Sequence, residues 1–184
     1  MQEVHVKAVP VNALYQFVSQ ELSHDQLRAV IERMGADGRW FTGHLLAHEM
    51  VPLALVNRFT SLAAAEKKDA VRQFAKRAGR FGAELGVKSV YKFILAVLSI
   101  EYVLKKAPFM WTRVYDGGTM LVDASDKKAK IRVQDFPAHE AGCSRITGWF
   151  EVVGERAGAK DLRCLHTACA AEGAAECVWD FEWR

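Results

Sequence analysis

No cysteine precedes Cys143, and the chain has no long apolar run. Its longest, residues 93–100, is stopped by Glu101. That is far short of the roughly 20 apolar residues a membrane helix needs. The N-terminus lacks a basic region followed by an apolar core and a small-residue cleavage site, so the chain is read as unprocessed and cytoplasmic. Charge of one sign is also missing. The 25 basic and 22 acidic residues leave a net charge of only +3 and are interleaved, with no broad footprint for nucleic acid. The catalytic signatures G-x-S-x-G, the phosphate-binding P-loop and G-x-G-x2-G do not occur, and neither does C-x2-C. No internal repeat, low-complexity tract or linker interrupts the 184 residues. The expectation is one domain over 1–184, with 1–107 mainly helical and 108–184 forming a sheet.

What is present begins with helical periodicity. Residues 11–21 carry Leu14, Phe17 and Val18 at helical spacing. Ser23 followed by Gln26 is a capping box, Leu27, Val30, Ile31 and Met34 form the next apolar stripe, and Gly35 is a natural stop. Residues 36–38 read as a loop before Trp40 and Phe41. A third helix is expected over 43–60, kinked at Pro52. Ser61 is then a cap for a long amphipathic helix over 63–85, burying Val71, Phe74, Ala78 and Phe81 and closed by Gly86. Its other face holds Arg72, Lys76, Arg77 and Arg80, read as a solvated surface. Residues 88–105 are apolar on all sides, which suits a helix at the centre of a domain or in a subunit interface.

After Pro108 the period becomes alternating. Residues 112–124 read as one strand, or two broken at Asp116-Gly117-Gly118. Ala129, Ile131 and Val133 alternate with Lys130, Arg132 and Gln134, giving a strand with one wet face. Residues 143–157 return to helix. Strands follow over 161–168 and 177–183, the latter aligning Cys177, Trp179, Phe181 and Trp183 on one face. The class is therefore α+β: N-terminal helices, then strand-strand-helix-strand-strand, in a mainly antiparallel sheet packed by helices.

All four cysteines lie in this last part. Cys143, His166, Cys169 and Cys177 supply three thiolates and one imidazole, a ligand set that zinc accepts at a closed, structural site. One ion would join the start of a helix, where the dipole favours a thiolate at Cys143, to a hairpin. Ordinary buried cysteines are the competing reading, and a disulfide between Cys169 and Cys177 is a third. Cys164 is read as a bystander. His44 and His48 with Glu49 suggest a two-histidine metal face on a helix, but the order H-x3-H-E is not H-E-x2-H, and a packed or solvated face is the better account. His139-Glu140 is a loop pair without a partner. His5 and His24 are read as surface.

The stretches APFMWTRVYDGG, DFPAHEAGCSRITGWFE and AGAKDLRCLHTACAAEGAAECVWDFEW resemble the 4-vinyl reductase-like domain. That superfamily includes haem-NO-binding-like proteins, the TRAPP subunits of vesicle tethering and the sensor domains of aromatic-responsive activators. Its C-x3-G-x3-C signature stands here as Cys169, Gly173 and Cys177. The resemblance spans about residues 60–184 and is greatest to stand-alone members from myxobacteria. It implies the same helix-then-sheet fold. It also implies a structural zinc on Cys143, His166, Cys169 and Cys177, with His166 in place of the sensors' acidic ligand. A buried pocket for a small ligand would lie beside the metal. Two departures qualify it. The histidine and tryptophan that hold a phenol in those sensors have no counterpart, since residues 91–104 contain no histidine and the strand carries Met120-Leu121-Val122. The Y-x-S-x-R motif that holds haem propionates is also absent, so haem is not expected.

Two functions follow from the residues and the resemblance. One is a non-catalytic binding or sensor-type domain for a small hydrophobic molecule, aromatic or acyl, with Phe93, Ile94, Val97 and Val122 as pocket residues. The other is a TRAPP-like assembly protein that homodimerises through Trp40, Phe41 and Phe59 and binds a protein partner. A vinyl-reductase-related enzyme ranks last, because no hydride cofactor site is found.

Overall fold

In the computed structural model, residues 3–86 and 99–184 are described. The architecture is α+β. Strand β1 (His5–Lys7) leads into helix α1 (Ala8–Glu21), and α2 (His24–Met34) follows. The capping box forms as expected: the Ser23 hydroxyl accepts from the Gln26 N–H, and the Gln26 side chain accepts from the Ser23 N–H. Gly35, with φ 63°, ends the helix.

The next stretch departs from the sequence expectation. Residues 36–38 are not a loop but part of a 3-10 helix, Gly35–Phe41. No helix spans 43–60. Instead, β2 (Met50–Pro52) pairs antiparallel with β1, and α3 (Leu53–Lys67) begins just after Pro52. Pro52 therefore opens a helix rather than kinking one, with the Leu53 N–H held by the Val4 carbonyl at 2.8 Å. Ser61 lies inside α3, not at a cap. The long helix expected over 63–85 is broken at Lys68, whose φ of 60° puts it in the left-handed region. The chain restarts as α4 (Val71–Gly86) after the Asp69 carboxylate accepts from the Ala70 N–H at 2.7 Å.

Helix α5 (Ile100–Val114) starts at a Ser99 cap and continues through Pro108. The expected strand from 112 is thus still helix to Val114. Leu104 and Trp111 are buried on either side of the proline. Trp111 also donates to the Gly117 carbonyl at 3.1 Å and packs edge-on to Phe136. Tertiary packing here outweighs the cost of an interior proline.

A four-stranded antiparallel sheet completes the fold. Its strands are β3 (Thr119–Ser125), β4 (Lys128–Gln134), β5 (Arg163–Ala168) and β6 (Cys177–Glu182), in the order β3-β4-β6-β5. Helix α6 (Glu140–Arg156) lies between β4 and β5 in sequence. The alternation read on β6 holds, since Cys177, Trp179, Phe181 and Trp183 are all buried.

Helices α4 and α6 meet backbone to backbone. A Cβ on Gly79 would overlap the Arg145 carbonyl oxygen, and one on Gly148 would overlap the Lys76 carbonyl oxygen. The basic face of α4 is therefore not simply solvated. Lys76 pairs with Glu151 at 2.7 Å, and Arg80 pairs with Glu151 and Glu155 at 3.0 Å each. Arg77 reaches back to Asp69 at 2.7 Å. Phe41 and Phe59, expected as dimer anchors, are instead fully buried and stacked on each other at 4.0 Å. They belong to the core.

Candidate metal centre

Helix α6 carries Cys143 in its first turn. The His139 ring caps the helix by accepting from the Ala141 N–H at 3.1 Å, and the Cys143 N–H bonds the His139 carbonyl at 2.8 Å. Strand β5 delivers His166, and a register shift between His166 and Ala168 turns the chain so that Cys169 leaves the strand toward the same point. A short 3-10 turn, Ala170–Glu172, and left-handed Gly173 return the chain to β6. Glycine suits that position, with φ 94°. Cys177 then opens β6, opposite Val133 of β4.

These elements bring four side chains together. One ligand atom from each of Cys143, His166, Cys169 and Cys177 lies within 4.8 Å of every other. The Sγ atoms of Cys143 and Cys177 are 3.8 Å apart, and those of Cys169 and Cys143 are 3.9 Å apart. Zinc–sulfur bonds of about 2.3 Å at tetrahedral angles would place two sulfurs roughly 3.8 Å apart. No disulfide is present, since all four cysteines are free and the spacings far exceed the ~2.05 Å of an S–S bond. The Cys169–Cys177 disulfide reading is thereby corrected.

The surroundings fix the ligands in place. The His166 ring stacks on Trp179 at 4.4 Å, and its Nε2 is buried without a hydrogen-bond partner. An orphaned imidazole nitrogen beside three thiols is the donor set a soft metal ion takes. Trp179 donates to the Thr147 hydroxyl at 2.8 Å, and that hydroxyl donates to the Cys143 carbonyl at 2.9 Å. The Ala170 N–H points at the Cys177 sulfur, 3.4 Å away.

Hydrogen bonding with Cys143 is the main influence holding the Cys177 thiol well below its ordinary range, followed among the lowering influences by His166 and the Ala170 N–H. That same bond, and then burial, push the Cys143 thiol up. Burial also raises Cys169. Cys164 lies on β5 outside the cluster, and burial pushes its thiol up to about 12.

The other sequence candidates disperse. His44 and His48 are exposed in the segment before β2, not on a helix, and the Glu49 carboxylate caps the Leu46 N–H. His5 pairs with Asp116 at 2.9 Å. His24 is exposed as read. Phe93, Ile94 and Val97 lie outside the described residues. Val122 borders two open hollows along the sheet, of about 860 and 420 Å³. Sequence reasoning missed His139 as the helix cap, although a histidine just before Glu140 and an apolar helix is a usable signal. It also missed Arg145, which is buried on the same helix as Cys143.

No family model matches the chain, and no curated protein matches it. Solved structures do. An H-NOX protein from S. oneidensis in its Fe(II) ligation state superposes with a TM-score of 0.75 at 10% identity, over 97% of this chain and 96% of that one. An unliganded Fe(II) H-NOX protein from K. algicida gives 0.71 at 9% identity, over 97% and 96%. An oxygen-binding H-NOX domain related to soluble guanylate cyclases, in its oxygen complex, gives 0.70 at 8% identity, over 97% and 95%. The chain therefore has the fold of these domains. Other structures of this kind concern haem distortion in the H-NOX family. Haem iron needs an axial ligand such as histidine, cysteine, methionine or tyrosine facing a cavity. Neither hollow on the sheet is lined by any of these. Among the described residues, the one imidazole with a buried, unpartnered nitrogen belongs to the cluster with three thiols. These two hollows do not fit haem.

Proposed function

We propose that this chain is a single-domain, non-catalytic ligand-binding or sensor-type protein whose C-terminal part is held by a structural zinc ion. The observation that carries the metal assignment is the convergence of Cys143, His166, Cys169 and Cys177 within 4.8 Å, with the His166 Nε2 orphaned. Four protein ligands close a tetrahedral site and leave no position for water, which favours a structural role over catalysis. The ion would tie the first turn of α6 to both strands of the β5–β6 hairpin. Its binding free energy would then act as folding free energy. No helix among the described residues is long and apolar enough to cross a membrane.

The ligand-binding reading draws support from the fold shared with H-NOX domains, one of which is described as oxygen-binding. For this chain, the ligand class remains the small hydrophobic molecule read from the sequence. Elemental analysis of protein purified without chelator tests the metal. One zinc per chain is expected in the native protein and in Cys164→Ala, and less than a tenth of that in Cys177→Ser. A native protein that is zinc-free and as stable as Cys177→Ser would overturn the assignment. Homodimerisation is a second reading. It now rests on α5, where Tyr102, Phe109 and Met110 are exposed. Light scattering on the purified chain tests it, and a strict monomer at high concentration removes it.

A further inference from the structure

Most arginines at the surface of this protein find acids. Arg72, Arg77, Arg80, Arg132 and Arg156 each sit within 4.0 Å of a carboxylate oxygen. Arg145 reverses the rule. It retains only 8% of its exposure, yet no carboxylate pairs with it among the described residues. The residues outside that set, 1–2 and 87–98, contain no Asp or Glu. Its side chain donates to the Thr60 hydroxyl over a long 3.4 Å and to the Tyr115 phenol, both neutral groups. A guanidinium offers five N–H donors and stays charged in any protein. Burying it without an anion is costly, so buried arginines are usually paired.

The polar layer around it has an ordered geometry. Asn57 and Thr60 stand three residues apart on α3, and Gly142 and Arg145 stand three apart on α6, so each pair shares one face of its helix. The two faces meet. Thr60 bonds Arg145, and a Cβ at Gly142 would lie 3.0 Å from the Asn57 Oδ1. Asn57 is 4% exposed, and its Oδ1 has no hydrogen-bond partner. The chain neighbours of these residues are apolar, with Val56, Phe59 and Ile146 all buried. An unneutralised cation and an unfilled acceptor thus share one buried helix–helix layer.

We propose that Arg145 is the anion-recognition residue of an interior ligand site, and that the ligand is a small organic carboxylate with an apolar body. A carboxylate matches the planar guanidinium with two parallel hydrogen bonds and cancels its charge. The apolar body suits these apolar neighbours, and a donor on the ligand would fill the Asn57 Oδ1. This inference rests on the ligand-binding reading and adds the chemistry of the head group. It does not depend on the metal.

Octanoate and octanamide, which share a chain length and differ in head-group charge, are the probes. Each is titrated calorimetrically into the full-length, metal-loaded protein. Octanoate is expected to bind at least tenfold more tightly than octanamide. The preference should disappear in Arg145→Gln and persist in Thr60→Val, which removes the structural tie but keeps the cation. Circular dichroism and zinc content accompany each variant. Should Arg145→Gln fail to fold, Arg145→Lys takes its place. It keeps the charge but loses the planar fork, and a severalfold loss of the octanoate preference is expected. Equal binding of the two probes by the native protein would overturn the inference and leave the ligand-binding reading standing. So would a preference unchanged in the Arg145 variants. Binding of neither probe would overturn the inference and remove support for an acyl ligand.

Discussion

Two neighbours of helix α6 are held against it in opposite ways. Against α4 the chain completes itself. Gly79 and Gly148 let the backbones touch, and Lys76, Arg80, Glu151 and Glu155 close the rim with ion pairs. Against the β5–β6 hairpin the chain does not complete itself. The Cys143 sulfur lies 3.8 Å from that of Cys177 and 3.9 Å from that of Cys169, and a ring nitrogen of His166 is left without a partner. One interface depends on shape and is finished by the sequence. The other depends on ligand chemistry and, on the zinc reading proposed above, is finished by an ion. Buried polar atoms without partners are rare enough that finding several together marks a place where something else belongs.

Removing the ion should produce the largest effect. Zinc at a thousandfold excess over its dissociation constant adds about 4 kcal/mol to stability, so chelation should lower the urea unfolding free energy by about that amount. Acid should do the same, because thiolates and imidazole must be deprotonated to bind metal, and zinc content should fall as pH falls. Equal stability with and without chelator would erase the contrast between the two interfaces.

The helix seam comes next. Gly148→Ala should cost about 3 kcal/mol, because the added methyl meets the backbone of Lys76 and Arg80, neither of which can swing aside. Its zinc content should be unchanged. Gly82→Ala, also on a helix that forms the seam, should go the other way. Its Cβ would meet only Ala13 at 3.6 Å, an ordinary contact, so the better helix propensity should add about 0.5–1 kcal/mol. Chemical denaturation of both variants reads out the sign. A loss at Gly82 as large as that at Gly148 would mean the seam is not specifically a backbone contact.

Smallest is the charged rim. The hydrogen bond from Arg77 lowers the Asp69 carboxyl below its ordinary value. A depressed carboxyl contributes stability above its unfolded pKa, and that contribution is lost as pH falls through the folded value. Asp69→Asn should therefore cost less than about 1 kcal/mol at pH 7, as expected of an exposed pair, and nothing in acid below the carboxylate range. Thermal unfolding at both pH values checks this.

The legible parts of this protein share a property: their cause lies within a few residues. The Ser23–Gln26 box, the Gly35 stop and the alternation of Cys177, Trp179, Phe181 and Trp183 are local patterns, and each appears as expected. Pro52 was misleading because the same proline that kinks a helix interior is at home where a helix begins. The break at Lys68 carried no signal, since a lysine does not announce a left-handed backbone. Strands β1 and β2, three residues each, have meaning only as partners some 45 positions apart.

By itself the sequence determined the α+β order, the caps and the four candidate ligands, because ligand identity and local periodicity are properties of residue type and short spacing. Only the tertiary structure decided that the four candidate ligands converge within 4.8 Å, that Gly79 and Gly148 are the contact between two helices, and that Arg145 is buried without an acid. Each of those depends on what stands opposite a residue after folding. Convergence, charge pairing and close approach are set by that opposing surface, and no stretch of sequence contains both sides of it.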